Sequence, residues 1–374
     1  MKWRSAIVHD WLVSPVGGSE NSLKEIFSMF PSPIYTLLWN PEAFQGTAFQ
    51  DATVYRSFID RLPLSRTKFR SYLPLFPMAI EQFNLAKYDL ILSSSHCVAK
   101  GVKRHPDQLH ICYCYTPMRY AWDLSEDYLK DAGLNSGIKG AVAKYFLHHL
   151  QDWDVESATQ VDHFIAISRF IAKRIERIYG RKASVIYPPV ETDFYQIGRQ
   201  KEDYYLAASR LVSYKKIHLI VEAFTKMPHR KLVVIGDGPE MKKLQKKAGK
   251  NIELMGYQSN FVLREMLQKA KALIFSAIED FGILPVEAMA TGTPVIALNK
   301  GGVTETVIDG ITGLFFEEQT AASIRDAVHR FEENDTWDPR MIRTHALQFS
   351  SGRFREEFRS FVETKMAAFN RVVE

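Results

Sequence analysis

Short apolar runs alternate with longer stretches of helical period, and the alternation restarts once along the chain. Residues 6–8, 34–38, 89–92, 109–115 and 164–167 are compact apolar runs of strand length. Between them, 21–30 has helical spacing and stops at Pro31. A second helical stretch, 169–179, follows Ser168, a residue type that caps helix N-termini. After residue 200 the rhythm repeats, with strands at 204–208, 232–235, 252–255, 272–275 and 294–297 and helices at 217–225 and 240–248. This predicts two parallel α/β sheets, one in each half, with ligands bound outside the carboxyl ends of the strands. The strand at 89–92 is expected to end at Ser93-Ser94-Ser95. The polar stretch 187–200, with Pro188 and Pro189, is the predicted hinge. A last helix is predicted over 353–372, carrying Phe354, Phe358, Phe361 and Met366.

Length and charge narrow the classes. The 374 residues suffice for two domains. Hydrophobic residues at 46% and charged residues at 24% exclude a disordered or fibrous chain. Lysine and arginine number 48 against 43 acidic residues, a net charge of +5. That excess suits an anionic small ligand or an acidic membrane surface and is too weak to argue for nucleic acid. Cys97, Cys112 and Cys114 do not make a disulfide framework and read as buried thiols in a reducing, cytoplasmic compartment. The apolar core at 6–8 is too short for a signal peptide, and no run is long enough to span a bilayer. Residues 61–76 interleave Arg61, Arg66, Lys68 and Arg70 with leucines and aromatics, with no acidic residue between Asp60 and Glu81. Such a segment either lies on an anionic bilayer or packs its apolar side inward.

The candidate chemistry sits at predicted strand ends. Glu279 follows the strand at 272–275, and Glu287 falls in what reads as the first turn of a helix announced by Pro285 and ended by Gly292. Between the two carboxylates, the backbone N–H groups of Phe281, Gly282, Ile283 and Leu284 are placed to face an anion. A carboxylate near a helix start can accept both hydroxyls of a ribose, and one on the preceding loop can orient sugar hydroxyls. Arg210 and Lys215 follow the strand at 204–208, and two cations five residues apart can grip both phosphates of a diphosphate. Gly17-Gly18 lies between the first strand and its helix, where backbone can approach phosphate. Neither this pair nor Gly236-Asp237-Gly238 completes a dinucleotide fingerprint, and no acidic residue closes the strand at 34–38, which argues against a nicotinamide-dependent dehydrogenase. No set of ligands for a metal is evident.

Taken together, these motifs resemble the retaining glycosyltransferases of family 4. The segment from Glu279 to Glu287 is similar to that family's Glu-x7-Glu signature, and it continues through Gly292-Thr293-Pro294 to Gly301-Gly302 and Asp309-Gly310. The resemblance implies the α/β GT-B fold, with two facing Rossmann-like domains, a deep interdomain cleft and a C-terminal helix crossing back. The implied divisions are 1–190 on the acceptor side, 191–352 binding the nucleotide sugar, and 353–374 returning to the first domain. His9-Asp10-Trp11, Ser95-His96, Arg119-Tyr120 with Trp122-Asp123, and Tyr187-Pro188-Pro189 look like a mannosyltransferase-like branch that builds bacterial surface polysaccharides such as O-antigen, commonly from GDP-mannose. By position, Arg210 and Lys215 are expected to stabilise the leaving diphosphate, Glu279 to bind the donor sugar and Glu287 the ribose. Gly17 and Gly18 are expected to contact donor phosphate or sugar, and Gly256-Tyr257 the base. His9, Asp10, His96, Tyr115 and Arg119 are the expected substrate contacts.

One residue departs from the family. Histidine is usual where this chain has Tyr115, a phenol with an unperturbed pKa near ~10 that cannot shuttle protons at neutral pH. Retention without an evident nucleophile implies front-face displacement with the cations as main catalysts, no metal, and Tyr115 in a secondary role. The acceptor is expected to be a saccharide or lipid-linked saccharide, with peripheral contact to an anionic membrane. A UDP-sugar donor, and a binding module that has lost activity, remain as alternatives.

Overall fold

Runs of apolar residues too short for a helix pair side by side into two parallel sheets in the computed structural model. It describes residues 3–15, 17–122, 137–198, 200–334 and 337–373; Asp123, and position 199 of the stretch 187–200, lie outside them. The chain divides into two units, Met1–Tyr187 with Phe354–Glu374, and Pro188–Arg353. The α/β class and the parallel sheet in each half are as the alternation predicts.

The first unit holds seven strands: β1 (Ser5–His9), β2 (Ile34–Thr36), β3 (Val54–Arg56), β4 (Leu90–Ser95), β5 (Leu109–Cys114), β6 (His163–Ala166) and β7 (Ala183–Val185). Their order is β3-β2-β1-β4-β5-β6-β7, every pairing parallel. The central strands are buried throughout, as parallel strands covered on both faces must be. β4 does not end at the serines. It runs through Ser93, Ser94 and Ser95, whose hydroxyls find buried partners and so tolerate a strand interior. The first helix spans Gly18–Met29 and so begins three residues before the expected 21. Ser168 caps the helix Arg169–Tyr179 by accepting from the Ile171 N–H, as read from the sequence. The terminal helix Ser351–Val373 buries Phe354, Phe358, Val362 and Met366, a strict four-residue stripe; Phe361 is only half-buried and Val362 takes its place. Tyr113 meets Phe354 and Phe358 at ring-centroid distances of 5.5 and 5.9 Å. All three cysteines are buried and free.

Residues 58–81 fold as short helical turns. Phe69, Leu73 and Phe76 are buried, with Phe69 and Phe76 against Trp11 at 5.0 and 6.0 Å. Phe69, Leu73 and Phe76 of 61–76 therefore pack inward, while Leu64 stays exposed.

The second unit holds β8 (Tyr204–Ala208), β9 (Lys231–Ile235), β10 (Ile252–Gly256), β11 (Ala272–Phe275), β12 (Val295–Leu298) and β13 (Gly313–Phe316), in the order β10-β9-β8-β11-β12-β13, all parallel. The stretch read as a hinge is anchored here over part of its length. Thr192 and Tyr195 are buried, Val190 pairs with Ser350, and the Arg343 guanidinium donates to the Thr192 and Tyr195 carbonyls. Aromatic anchors outweigh the two prolines and the polar composition that suggested a free linker.

Candidate active site

In the second unit the chemistry gathers where β8 and β11 end. The loop after β8 carries Ser209, Arg210 and Leu211 under Gly236 and Gly238. A Cβ at Gly236 would lie 1.8 Å from the Ser209 carbonyl oxygen, and one at Gly238 2.5 Å from that of Leu211. Both glycines also have positive φ, so close approach and backbone conformation each require them. The Leu211 N–H donates to the Asp237 carbonyl at 2.9 Å. This crossing fixes the root of Arg210, whose side chain is exposed and has no partner among the described residues.

Lys215 forms an ion pair with Glu279. Their side chains are 20% and 18% exposed, so the pair is shielded yet open to a ligand. Two backbone clamps hold it. The Ser276 hydroxyl donates to the Lys215 and Lys216 carbonyls at 3.2 Å, and the Gly302 N–H donates to the Glu279 carbonyl at 2.8 Å. A Cβ at Gly302 would lie 2.3 Å from the Asp280 carbonyl oxygen, so only glycine lets that loop close. Phe281 is buried against Phe349, and Gly282 caps the helix Ile283–Ala290 at φ 89. The helix thus starts at Ile283 rather than Pro285. Glu287 is its fifth residue and sits one turn further in than expected, while Ile283 and Leu284 present the first-turn N–H groups.

Glu287 bonds to Tyr195, and burial pushes its carboxyl up to about 7, offset by the phenol and raised further by Glu191. At neutral pH it is poised between acceptor and donor. Gly256 is left-handed at φ 70 and its carbonyl accepts from the Gly236 N–H at 2.8 Å; Tyr257, next to it, is 74% exposed, as a stacking platform must be.

The first unit gathers His9, Asp10, His96, Glu20 and Tyr115 at the ends of β1, β4 and β5. Asp10 is buried and accepts four backbone N–H bonds, from His96 at 2.6, Cys97 at 3.1, Val98 at 2.6 and Ala99 at 2.7 Å. His96 Nδ1 lies 2.9 Å from its Oδ2. Burial opposes the charge, but His96 and these donors outweigh it and hold the Asp10 carboxyl far below the usual range. Burial likewise opposes a charged His96, and the Asp10 carboxylate overrides it, raising the imidazole. His9 stands 3.0 Å from both the Ser94 carbonyl and hydroxyl, and burial lowers it to about 4, so it is neutral.

Tyr115 is buried, donates to the Ser19 carbonyl and bonds the Ser94 hydroxyl, each at 2.9 Å; burial raises its phenol. It ties β5 to the glycine loop with a neutral hydroxyl. Gly17 and Gly18 sit at the helix start as expected, but the Glu20 carboxylate folds back over Gly17, held by the Ser19 hydroxyl at 2.8 Å. An anion of the chain's own thus lies where donor phosphate was expected. Arg119 is half-buried just past β5. His110, on the other side of β5 from Tyr115, is held by Ser93 and Gln160, each at 2.8 Å.

Sequence reasoning missed Tyr195, Ser276, Gly302, Glu20 and Arg343. Only Gly302 carried a signal, standing inside the Gly301-Gly302 motif; Glu20 lies two residues past Gly18. No group of three or more His, Cys, Asp or Glu side chains among the described residues could hold a metal ion.

Residues 190–347 match the family model for glycosyl transferases group 1. The matched residues lie within the second unit. Over 208 residues the chain is 29% identical to an uncharacterised glycosyltransferase, MJ1178, of Methanocaldococcus jannaschii, covering 54% of this chain and 56% of that protein. It is 27% identical over 197 residues to the GDP-mannose-dependent alpha-(1-6)-phosphatidylinositol monomannoside mannosyltransferase of Mycolicibacterium smegmatis, covering 43% and 50%. The chain thus spans about half the length of these curated relatives. The fold is shared more widely than the sequence. Anabaena Alr3699/HepE, solved with UDP and glucose, superposes with a TM-score of 0.67 at 15% identity over 96% of this chain and 99% of that one. The matched residues contain Arg210, Lys215, Glu279 and Glu287; the Asp10 cluster lies outside them.

Proposed function

We propose that the protein is a retaining hexosyltransferase that moves mannose from GDP-mannose to a saccharide or lipid-linked saccharide during assembly of a surface polysaccharide. The observation that carries this reading is the clamped Lys215–Glu279 pair beside an exposed Arg210 at the ends of β8 and β11. It is supported by the match of residues 190–347 to the glycosyl transferases group 1 family and by likeness to a GDP-mannose-dependent relative.

In this reading the donor diphosphate meets Arg210 and Lys215. As the sugar–phosphate bond stretches, negative charge grows on the leaving group, and preorganised donors aimed at that charge lower the barrier. One such donor is typically worth ~3 kcal/mol. The diphosphate competes with Glu279 for Lys215 and frees that carboxylate for sugar hydroxyls. The N–H groups of Ile283 and Leu284 add to the anion site. Glu287 binds the ribose and the exposed Tyr257 stacks on the base. The leaving phosphate takes the acceptor hydroxyl's proton, so no protein base is required. His96, oriented beside Asp10, hydrogen-bonds substrate in the first unit. The cations replace a metal ion in this scheme.

A UDP-sugar donor is the second reading, favoured by the likeness to a protein solved with UDP and glucose. A thermal-shift panel with GDP, UDP, ADP, GDP-mannose and NAD, with and without chelator, separates them. A ligand at a hundred times its Kd stabilises by ~2.7 kcal/mol. Stabilisation by GDP and GDP-mannose that survives chelator is the expected result. A response to UDP alone moves the donor, and a response to NAD alone overturns the reading. Silence toward every nucleotide points to an inactive binding module.

A further inference from the structure

Two arginines pack on the stretch that carries Tyr195, and they are answered differently. Arg343 donates to the Thr192, Tyr195 and Ala290 carbonyls. Arg264, on the helix Asn260–Lys269, makes no hydrogen bond and no ion pair among the described residues, and its Nε is buried without an acceptor. A buried donor left open in this way calls for an explanation. The side chain is nevertheless held. Its guanidinium lies over the Phe194 ring at 4.5 Å and the Phe261 ring at 5.5 Å, and the two rings meet edge to face 5.3 Å apart. Contact with two rings fixes the plane of the fork and leaves its N–H donors unspent.

The position of Arg264 matches one end of a nucleotide. Burial raises the Tyr195 phenol, the Glu287 carboxylate adds to this, and the Arg264 charge opposes it, so Arg264 lies close to the partner of Glu287. Its helix starts three residues after Tyr257, past β10 at the sheet edge, two strands from the β8 that leads into Arg210. A nucleoside diphosphate runs from diphosphate through ribose to base. Arg210 with Lys215, then Glu287, then Arg264 with Tyr257 repeat that order within the second unit. Tyr257 and Phe261 are 74 and 67% exposed and border the helix start, where they offer apolar faces to a base.

We propose that Arg264 reads the base of the donor and selects guanine through its O6 and N7 atoms. The proposal rests on the nucleotide-sugar reading above and names the residue that chooses the base. A guanidinium only donates, so its fork suits two neighbouring acceptors. Guanine presents O6 and N7 side by side. Adenine sets an amino donor beside N7, and uracil, like thymine, presents O4 alone on that edge.

The test is titration calorimetry of the full chain with GDP, 7-deaza-GDP and UDP. The deaza analogue replaces N7 by carbon and keeps O6 and the Watson–Crick edge. The unmutated chain should bind GDP about tenfold more tightly than 7-deaza-GDP. Arg264→Ala should weaken GDP about tenfold to a hundredfold, make GDP and 7-deaza-GDP bind alike, and leave UDP affinity as it was. Arg264→Lys should follow the alanine variant, because a point charge cannot pair with both acceptors in one plane. Equal binding of GDP and 7-deaza-GDP by the unmutated chain overturns the assignment, and this arm needs no variant to fold. Equal loss of GDP and UDP in Arg264→Ala also overturns it and places the arginine on ribose or phosphate. A lower Tm with GDP affinity retained overturns it in favour of packing. Binding of UDP with none of GDP overturns the GDP-sugar reading itself, whereas GDP binding without discrimination against the deaza analogue overturns the role of Arg264 alone.

Discussion

Asp10 and Glu279 both stand just past a parallel strand, at the ends of β1 and β11, and each has a cationic partner. Their surroundings are opposite. Asp10 is sealed from solvent and has every lone-pair direction answered by four backbone N–H groups and an imidazole. Glu279 has one lysine, and both members keep about a fifth of their side chains exposed. A carboxylate that answers so many donors organises backbone, and its charge is already spent within the fold. One that holds a single mobile ammonium can exchange it for something else. Charge at a strand end thus indicates a ligand site only where the chain has left it partly unanswered.

This contrast breaks most visibly at Asp10. Asp10→Ala should cost about 3 kcal/mol or more, because it strands four buried N–H donors and the His96 ring. A thermal melt indistinguishable from the parent would show that the cluster does not organise the fold. Arg210→Ala should do the reverse. Turnover should fall by about a hundred- to a thousandfold, the worth of one donor on developing charge, with the melt unchanged; Lys215→Ala should behave alike. Comparable loss of stability in the Arg210 variant would erase the distinction between the two regions.

Glu287 sharpens the contrast through pH. Its carboxyl is raised to about 7 by burial, so it is protonated below that pH and ionised above. An ionised carboxylate accepts both ribose hydroxyls and a protonated one does not. Nucleotide affinity should therefore weaken as pH falls from 8 to 6, with proton release on binding near neutrality. Because the folded pKa exceeds the ordinary carboxylate value, this group makes folding less favourable as pH rises from the unfolded value through 7. Glu287→Gln should flatten both dependences, as read by calorimetry in buffers of differing ionisation heat. The smallest effect belongs to Tyr115→Phe. Losing the buried hydrogen bonds to Ser19 and Ser94 should cost about 1–2 kcal/mol of stability and leave the pH profile of turnover unmoved. A shifted profile would put the phenol at the reaction rather than in the scaffold.

Legibility followed burial. β8, β11 and β12 are apolar from end to end, and the sequence pattern locates them within a residue or two. β3 and β7 escape notice because each has three residues, partly exposed, at a sheet edge where nothing demands an apolar run. The serines of β4 read as a loop because their satisfaction depends on His9 and His110, 85 and 17 residues away by subtraction of residue numbers. The Glu279–Glu287 segment was legible because its glycines, its proline and both carboxylates lie within one short stretch. Tyr195 was not, since a proline-rich stretch concealed a side chain that packs on Glu287 from 92 positions earlier by the same subtraction. The Glu20 carboxylate over Gly17 stood in plain view, but its direction is a rotamer and not a pattern.

The crossing of Gly236 and Gly238 over Ser209 and Leu211 bears on attempts to re-engineer this protein. The two glycines follow β9 while Arg210 follows β8, so a library aimed at the arginine loop would treat 236–239 as free to vary. Each side chain installed there would push the carbonyl it meets and displace the arginine root with it. Variation is better directed to Tyr257 and its neighbours, where exposure allows change without moving the root of Arg210.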